Sequence, residues 1–138
     1  MLAGKVWGQT EELLVTPLIE MHRIHINPGM VCSMHKHEYK WNLFYVIEGE
    51  LAIDVEKSNY DLTDTTILKA GEWTSVRPNE YHRFRSLDVP VVALEVYYLE
   101  PLTADIVRKN VGGTVDSQTG DGEEVRGTDG PAQTHHFD

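Results

Sequence analysis

The sequence predicts an all-β domain, and three observations support this. Residues 19–99 contain short runs rich in β-branched, aromatic and leucine side chains, which are typical of strands. Clusters of glycine, proline and asparagine separate these runs, as expected for turns. Several runs alternate apolar and polar side chains, which is the period of a half-buried strand. Short strands with regular turns indicate an antiparallel sandwich or barrel.

The predicted strands follow one another along this part of the chain. The strands are expected at Ile19–Ile26, Val31–His37, Leu43–Ile47, Leu51–Glu56, Thr66–Lys69, Trp73–Val76, Tyr81–Arg85 and Val91–Leu99. The intervening turns are expected at Asn27–Gly29, Glu48–Glu50, Ala70–Gly71 and Pro78–Glu80. The segment from Ile19 is therefore the first strand that the pattern predicts, and the preceding residues are an extra N-terminal segment.

One short helix is expected after the last strand, at Ala104–Asn110. Thr103 can cap its N-terminus, and Asp105 carries a negative charge in its first turn, where the helix dipole favours one. Gly112–Gly113 would end the helix. We expect residues 1–113 to form the domain.

The remaining residues, 114–138, form an acidic tail. They are dominated by Gly, Asp, Ser, Thr and Glu, and aliphatic side chains are scarce. Such a segment cannot bury enough apolar surface to offset its ordering entropy, so we expect disorder unless it folds against a partner.

Composition limits the class of protein. The net charge of −10 opposes binding to nucleic acid, because such binding depends on neutralising phosphates. No apolar run approaches the roughly 20 residues that span a bilayer, so no membrane association is expected. One cysteine, Cys32, cannot form an internal disulfide, and the N-terminus lacks a secretory pattern. We therefore expect a cytoplasmic protein.

Three histidines are candidate metal ligands. His35 and His37 are two residues apart on a predicted strand, so both side chains point to the same face. His82 opens a later strand and is placed to supply a third imidazole, a ligand suited to several divalent metals. A His-x-His pair also arises by chance, so a pair without a metal remains an equal alternative on this evidence alone.

The glycines around the histidine pair change that balance. Gly29, His35, His37 and Gly49 fall on the spacing Gly-x5-His-x-His-x4-Glu-x6-Gly, with Asn42 at the glutamate position. This resembles the first motif of the cupin superfamily. The resemblance implies a metal ion bound by the conserved ligand positions of that motif.

A second stretch resembles the other cupin motif. Gly71, Pro78 and His82 follow its order of glycine, proline and histidine, and Asn79 stands where glycine is usual. The resemblance implies a double-stranded β-helix, which is a jelly-roll barrel. It also implies that the three histidines bind a divalent ion such as Zn, Fe, Mn or Ni.

Within the cupins, the chain is similar to the isomerase domain of type II mannose-6-phosphate isomerases. The likeness spans residues 5–112 and lies in Trp7–Gly8, Arg23–Gly29, Pro78–Arg83, Glu95–Val96 and Asp105–Arg108. It implies a metal-dependent aldose–ketose isomerase that acts on a sugar or sugar phosphate. Cupins often dimerise through N-terminal strands, so residues 1–18 also favour a homodimer.

Two departures from that family bear on the chemistry. The first ligand position is commonly glutamine there and is His35 here, and the ligand glutamate is Asn42. Asn42 is either a weak neutral ligand or a hydrogen-bonding partner of a pocket water. A site of three histidines without a carboxylate leaves the metal charge uncompensated, so it should favour anionic substrates or hydroxide. Such a site also resembles cupin Fe(II) dioxygenases, and loss of the glutamate is equally compatible with a non-catalytic small-molecule binder.

Two further residues are candidates for catalysis. If the face of the last strand that carries Ala93, Glu95 and Tyr97 points inward, burial should raise the pKa of Glu95 and make it a general base. The alternative is a structural bond from Glu95 to Arg23 or a tyrosine. Lys40 resembles the basic residue that precedes the family's glutamate and can hold a substrate phosphate, or it is a surface lysine.

The other histidines and the arginines beside His82 are assigned by alternation. His22 and His25 point to opposite faces of the first strand, so at most one reaches the interior, and a core or surface role is expected for each. Arg83 and Arg85 should point outward if His82 points inward.

Overall fold

The computed structural model describes residues 2–57, 62–99, 105–115 and 125–126. These residues belong to two compact units, one ending at residue 99 and one beginning at residue 105. In the second unit, Val107–Arg108 pairs with Val125–Arg126 in an antiparallel two-stranded sheet. The proposed division into residues 1–113 and a disordered tail stays a prediction, because most of the tail lies outside the described residues.

The first unit is built from two antiparallel sheets, which confirms the expected all-β fold. Its strands are β1 (Leu2–Lys5), β2 (Gly8–Val15), β3 (Ile19–Ile26), β4 (Trp41–Glu48), β5 (Glu50–Lys57), β6 (Leu62–Lys69), β7 (Trp73–Val76), β8 (His82–Ser86) and β9 (Val91–Tyr98). The larger sheet has the order β1-β2-β3-β9-β4-β7, and the smaller has the order β6-β5-β8. The strands of the second unit, at Val107–Arg108 and Val125–Arg126, are β10 and β11.

The apolar core contains residues from both sheets, which is the jelly-roll arrangement. Strand alternation places Ile24 and Phe44 of the larger sheet and Ile53 and Phe84 of the smaller sheet in one buried cluster. The rings of Phe44 and Phe84 contact edge to face with centroids 5.9 Å apart. Because His82 shares a strand face with Phe84, the same alternation carries a histidine to the edge of this core.

Two parts of the predicted strand pattern were wrong. Residues 1–18 contain β1 and β2, which the sequence pattern did not indicate. Their hydrophobic residues do not alternate, and β2 carries a bulge between Glu12 and Leu14. Residues 31–37 were predicted as a strand, yet they make only single bridges, from Val31 to Arg85 and from His35 to His82.

The predicted helix at residues 104–110 is also wrong where the structure describes it. Val107–Arg108 is a strand, and Ala104 lies outside the described residues. Nucleating so short a helix is unfavourable, and the β-branched Ile106 and Val107 favour the extended state. Among the described residues, no helix is long and apolar enough to cross a membrane.

Gly49 makes the tight connection between β4 and β5. Its φ is 85°, in the left-handed region that favours glycine. A Cβ added there would collide with the carbonyl oxygen of Pro90. The glycine that the motif predicted at this corner is therefore needed both for its backbone angle and for the close approach of the chain before β9.

A buried carboxylate, that of Asp54, binds two arginines on the outer face of the smaller sheet. Asp54 is 2% exposed and accepts hydrogen bonds from Arg83 Nε and Arg85 Nε, both at 2.9 Å. Burial alone would raise the pKa of Asp54, but the hydrogen bonds from Arg85 and Arg83 outweigh it and hold the pKa below its ordinary value. Both arginines thus point away from His82, as alternation predicted, and they act within the fold.

Candidate metal centre

The backbone pairs His35 with His82, which are the first and the last of the three candidate ligands along the chain. His35 N donates to the His82 carbonyl oxygen at 3.0 Å, and His82 N donates to the His35 carbonyl oxygen at 2.8 Å. This reciprocal pair joins the segment before β4 to the start of β8. Two residues 47 positions apart in the sequence are thereby placed side by side, with ring centroids 4.8 Å apart.

The second histidine is held by the turn before β8. Asn79 N donates to the His37 carbonyl oxygen at 2.7 Å, and Asn79 Nδ2 donates to the Glu38 carbonyl oxygen at 3.2 Å. Asn79 has a φ of 67°, which asparagine tolerates better than most residues. The departure from the glycine of the second motif therefore keeps the turn and adds a side-chain bond that fixes the loop carrying His37.

Hydrogen bonds to the backbone determine which ring nitrogen of His35 and of His82 can bind a metal ion. His35 Nδ1 lies 2.8 Å from the Ser33 carbonyl oxygen, and His82 Nδ1 lies 2.9 Å from the Glu80 carbonyl oxygen. A carbonyl oxygen only accepts, so both Nδ1 atoms carry the proton and both Nε2 atoms present a lone pair. Such outer hydrogen bonds orient and strengthen histidine ligands in metal sites.

The third ring leaves a buried nitrogen without a partner. His37 Nε2 has no hydrogen-bond partner among the described residues, although it is buried. The candidate ligand atoms of His35, His37 and His82 all lie within 4.8 Å of one another. Leaving a buried polar atom unbonded is costly, and a shared cation would remove that cost. The residues therefore fit a divalent metal ion.

The electrostatics of the site favour neutral imidazoles. Burial lowers the pKa of His82 to about 4, and the backbone bond to Glu80 only partly offsets this. Burial also lowers the pKa of His37, helped by the neighbouring charges of His35 and Lys40. Because only neutral imidazole has a free lone pair, both rings are in their metal-binding form at neutral pH.

Asn42 lies against the histidines at the bottom of the site. It is the second residue of β4, it is fully buried, and its Oδ1 is 3.0 Å from His82 Nε2. Its Nδ2 donates to Glu95 Oε2 at 3.5 Å. The structure therefore brings the four predicted ligand residues together, with the amide oxygen of Asn42 beside His82 Nε2.

Glu95 lies on the inner face of β9, where the sequence conditionally placed it. It is 7% exposed, and burial raises its pKa, although hydrogen bonds from Tyr97 and Asn42 oppose the rise. Burial and the adjacent Glu95 charge raise the pKa of Tyr97 as well. The Tyr97 ring in turn contacts the His37 ring, with centroids 5.0 Å apart. Of the two partners suggested for Glu95, a tyrosine is present as Tyr97, whereas Arg23 bonds Glu11.

Two of the three histidines, His35 and His37, line a cavity of about 390 Å³. Glu95 and Tyr97 line it, and Lys40 reaches it with Nζ 5.5 Å from the Tyr97 ring centre and 3.8 Å from Glu20 Oε1. Lys40 therefore lies at the cavity with its side chain 47% exposed, available to an entering molecule.

Several cavity residues were missed by the sequence reasoning. Glu20 and His22 line the cavity from β3, and Lys5 and Trp7 line it from the N-terminal segment. The sequence did contain a signal for Glu20 and His22, because they alternate along β3 onto the same face as the core residue Ile24. No local signal identified the other two, since they reach the cavity only through long-range pairing of β2 with β3.

The fold resembles solved structures of several proteins. The structure of KdgF from Halomonas sp. matches with a TM-score of 0.58 and 17% identity, over 67% of this chain and 79% of that one. The capsular polysaccharide assembling protein CapF from Staphylococcus aureus matches with a TM-score of 0.65 and 19% identity, over 74% and 29%. Oxalate decarboxylase from Lactobacillus farciminis, in a formate complex, matches with a TM-score of 0.63 and 20% identity, over 74% and 31%.

These likenesses concern the fold, because the identities are low. The chain spans less than a third of the length of CapF and of the oxalate decarboxylase. A comparison with curated proteins gave no match.

A family comparison covers the strands that carry the site. The family model described as "Cupin domain" matches residues 22–97, more than half of the chain. The match contains the glycine corners, the three histidines, Asn42 and Glu95. The chain therefore belongs to the cupin family.

Proposed function

We propose that this cupin is a metal-dependent enzyme that interconverts an aldose and a ketose, acting on a sugar or a sugar phosphate. The observation that carries the proposal is the proximity of two groups: a cluster of three imidazoles, of which His35 and His37 line the cavity, and the buried carboxylate of Glu95 that lines the same cavity. The likeness to the isomerase domain of type II mannose-6-phosphate isomerases supports the choice of reaction.

His35, His37 and His82 would hold the ion, and Asn42 Oδ1 would complete the set. A divalent metal there would supply a Lewis acid that polarises a carbonyl and its neighbouring hydroxyl. No carboxylate lies among these ligands, so the positive charge of the site is not offset by its nearest residues. That favours a substrate with an anionic group.

Glu95 is the proposed general base. An isomerase must remove the proton from carbon 2 and deliver one to carbon 1. A carboxylate with a raised pKa is suited to both steps, because it holds a proton more readily than an ordinary carboxylate and can then return it. Asn42 and Tyr97 hydrogen-bond to the carboxylate and so hold it at a fixed place beside the cluster.

Lys40 is proposed to hold the substrate phosphate. Its amine is a point charge at the cavity, and its ion pair with Glu20 is long enough, at 3.8 Å, to be exchanged for a stronger partner. A second lysine that lines the cavity, Lys5, adds to the positive charge there.

The test is isotope exchange in deuterated water. Protein stripped by a chelator is reloaded separately with Zn, Mn, Fe or Ni and incubated with aldohexoses and their 6-phosphates. Deuterium at carbon 2 and formation of the ketose, both dependent on added metal, are the expected results. The absence of both from every sugar with every metal would contradict the proposal.

A second candidate function is a non-haem Fe(II) dioxygenase, favoured by a ligand cluster of three histidines without a carboxylate. Metal content separates the two. Iron in the purified protein together with oxygen consumption supports the dioxygenase, and zinc contradicts it.

We also propose a cytoplasmic homodimer. Strand β1 lies at one edge of the larger sheet, and an edge strand offers backbone groups for pairing with a second copy. Light scattering of the full chain and of a variant lacking residues 1–6 tests this, since only the full chain should have twice the mass of one chain.

A further inference from the structure

Glu20 and His22 form a second polar group in the cavity, outside the metal cluster. His22 Nε2 lies 3.1 Å from Glu20 Oε2, and both residues line the cavity. The hydrogen bond from His22 lowers the pKa of Glu20, and Lys40 contributes to the shift. Glu20 is therefore a carboxylate that accepts the Nε2 proton, which leaves His22 Nδ1 free to accept another.

The register of the larger sheet places this pair beside Glu95. His22 lies directly opposite Glu95 on β3 and β9, and Glu20 lies directly opposite Tyr97. Opposite residues on one face of an antiparallel pair have Cβ atoms about 4.5–5.5 Å apart. The His22 ring is also 6.1 Å from the Tyr97 ring, which contacts the ligand His37.

This arrangement matches a need of the proposed reaction. Removal of the carbon 2 proton by Glu95 leaves an enediolate with a negative oxygen 1 and a hydroxyl at oxygen 2. The ketose forms only if oxygen 2 loses its proton and oxygen 1 gains one. A second acid–base group next to the first would carry out that transfer. An imidazole oriented by a carboxylate is suited to it.

We propose that His22, oriented by Glu20, moves a proton between the two substrate oxygens. The O2–H bond breaks as an Nδ1–H bond forms, and the Nδ1–H bond then breaks as an O1–H bond forms. Glu95 separately returns its proton to carbon 1, so atoms and charge balance and nothing is oxidised. Glu20 is a positioning residue. The inference rests on the proposed function.

The test separates proton removal from ketose formation. In deuterated water, the rate of deuterium entry at carbon 2 of the aldose reports on Glu95, and the rate of ketose formation reports on both groups. For His22→Gln, exchange should stay within about threefold, whereas ketose formation should fall by about 100-fold or more, within the usual range for one acid–base residue. Adding imidazole to His22→Gly should restore part of the ketose rate.

His25→Gln is the matched control, because His25 is exposed and lies on the opposite face of the same strand. It should change neither rate. Equal loss of both rates in His22→Gln would show a structural role and overturn the proposal, as would no loss at all. A wild-type protein that shows neither exchange nor ketose would instead contradict the proposed function, and this inference with it.

A second measurement does not depend on activity. Nitrogen-15 correlation spectra of the full chain assign the tautomer of each histidine. His22 should be the Nε2–H tautomer in the wild type and in Glu20→Asp, and a mixture in Glu20→Gln. An Nδ1–H tautomer in the wild type, or no change in Glu20→Gln, would overturn the role given to Glu20.

Discussion

Asn42 Oδ1 lies 3.0 Å from His82 Nε2. Since His82 Nδ1 donates to the backbone, His82 Nε2 is the nitrogen that would bind an ion. Asn42 Oδ1 lies next to that nitrogen, so we predict that Asn42 is a fourth ligand and not only a partner of a pocket water.

Replacing Asn42 tests that assignment. Asn42→Asp should bind a divalent ion at least about tenfold more tightly, and Asn42→Ala should lose roughly 10- to 100-fold, as changes close to metal ligands typically do. Without metal, Asn42→Asp should be less stable than the wild type, because a second carboxylate would lie beside Glu95. Calorimetric titration with zinc and manganese measures the affinities. Equal affinities for all three proteins would place Asn42 outside the coordination sphere.

Replacing Glu95 tests the general base. Glu95→Gln keeps the shape of the side chain and its bonds to Asn42, so the melting temperature should change little. The isomerase rate should fall by about 10²- to 10⁴-fold because the amide cannot take the proton. Glu56→Gln, on the exposed outer side of β5, is the control and should keep full activity. Retained activity in Glu95→Gln would assign proton removal to another residue.

Much of the fold and the grouping of the three histidines could be predicted from the sequence. The strands from β3 to β9 were each predicted at least in part, and Gly29, Gly49 and Gly71 occupy positive-φ corners as the motifs implied. The prediction placed His35 and His37 together on a strand that the structure does not contain. Instead, a β-bridge to His82 holds His35, and a hydrogen bond from Asn79 holds His37. The cavity residues of β3, Glu20 and His22, were predictable because they share a strand face with the core residue Ile24.

The remaining differences have physical causes. The expected helix has the capping residues of a helix, but Val107 and Arg108 pair with a distant strand, Val125–Arg126, which no local pattern identifies. Lys5 and Trp7 reach the cavity through the hairpin of β1 and β2, and Trp7 packs edge to face on Phe84 at 4.9 Å. Such contacts between distant segments depend on tertiary structure and not on local propensity.

The metal-free protein should lose stability in mildly acidic solution. Burial keeps the pKa of His82 at about 4 in the folded chain, against an ordinary value of 6.5. The unfolded chain therefore binds a proton at higher pH than the folded chain does. The free energy of unfolding should fall as the pH drops from 6.5 to about 4, by on the order of 3 kcal/mol, and His82 should add nothing below that.

Urea unfolding at pH 4, 5, 6 and 7 measures this dependence with a chelator present. His82→Gln should lose part of the slope, whereas His25→Gln should keep it, because His25 is exposed. The same slope in the wild type and His82→Gln would show that His82 is not held neutral by burial.

The corner at Gly49 should tolerate no side chain. Gly49 and Gly71 have nearly the same φ, 85° and 86°, but only Gly49 has a neighbour, the Pro90 carbonyl oxygen, in the place of a Cβ. Gly71→Ala should cost about 1–2 kcal/mol of backbone strain. Gly49→Ala should cost at least about 2 kcal/mol more, because the backbone there must shift. Equal losses in urea unfolding would contradict the close approach.

The number of metal ions bound per chain, and its dependence on two histidines, tests the proposed centre most directly. Chelator-stripped protein is equilibrated with zinc, freed of excess ion and analysed for metal and protein. The wild type should bind one ion per chain. His82→Ala should bind none under the same conditions, and His22→Ala, which lines the cavity outside the cluster, should still bind one. An ion retained in His82→Ala, or lost in His22→Ala, would contradict a centre built on His35, His37 and His82.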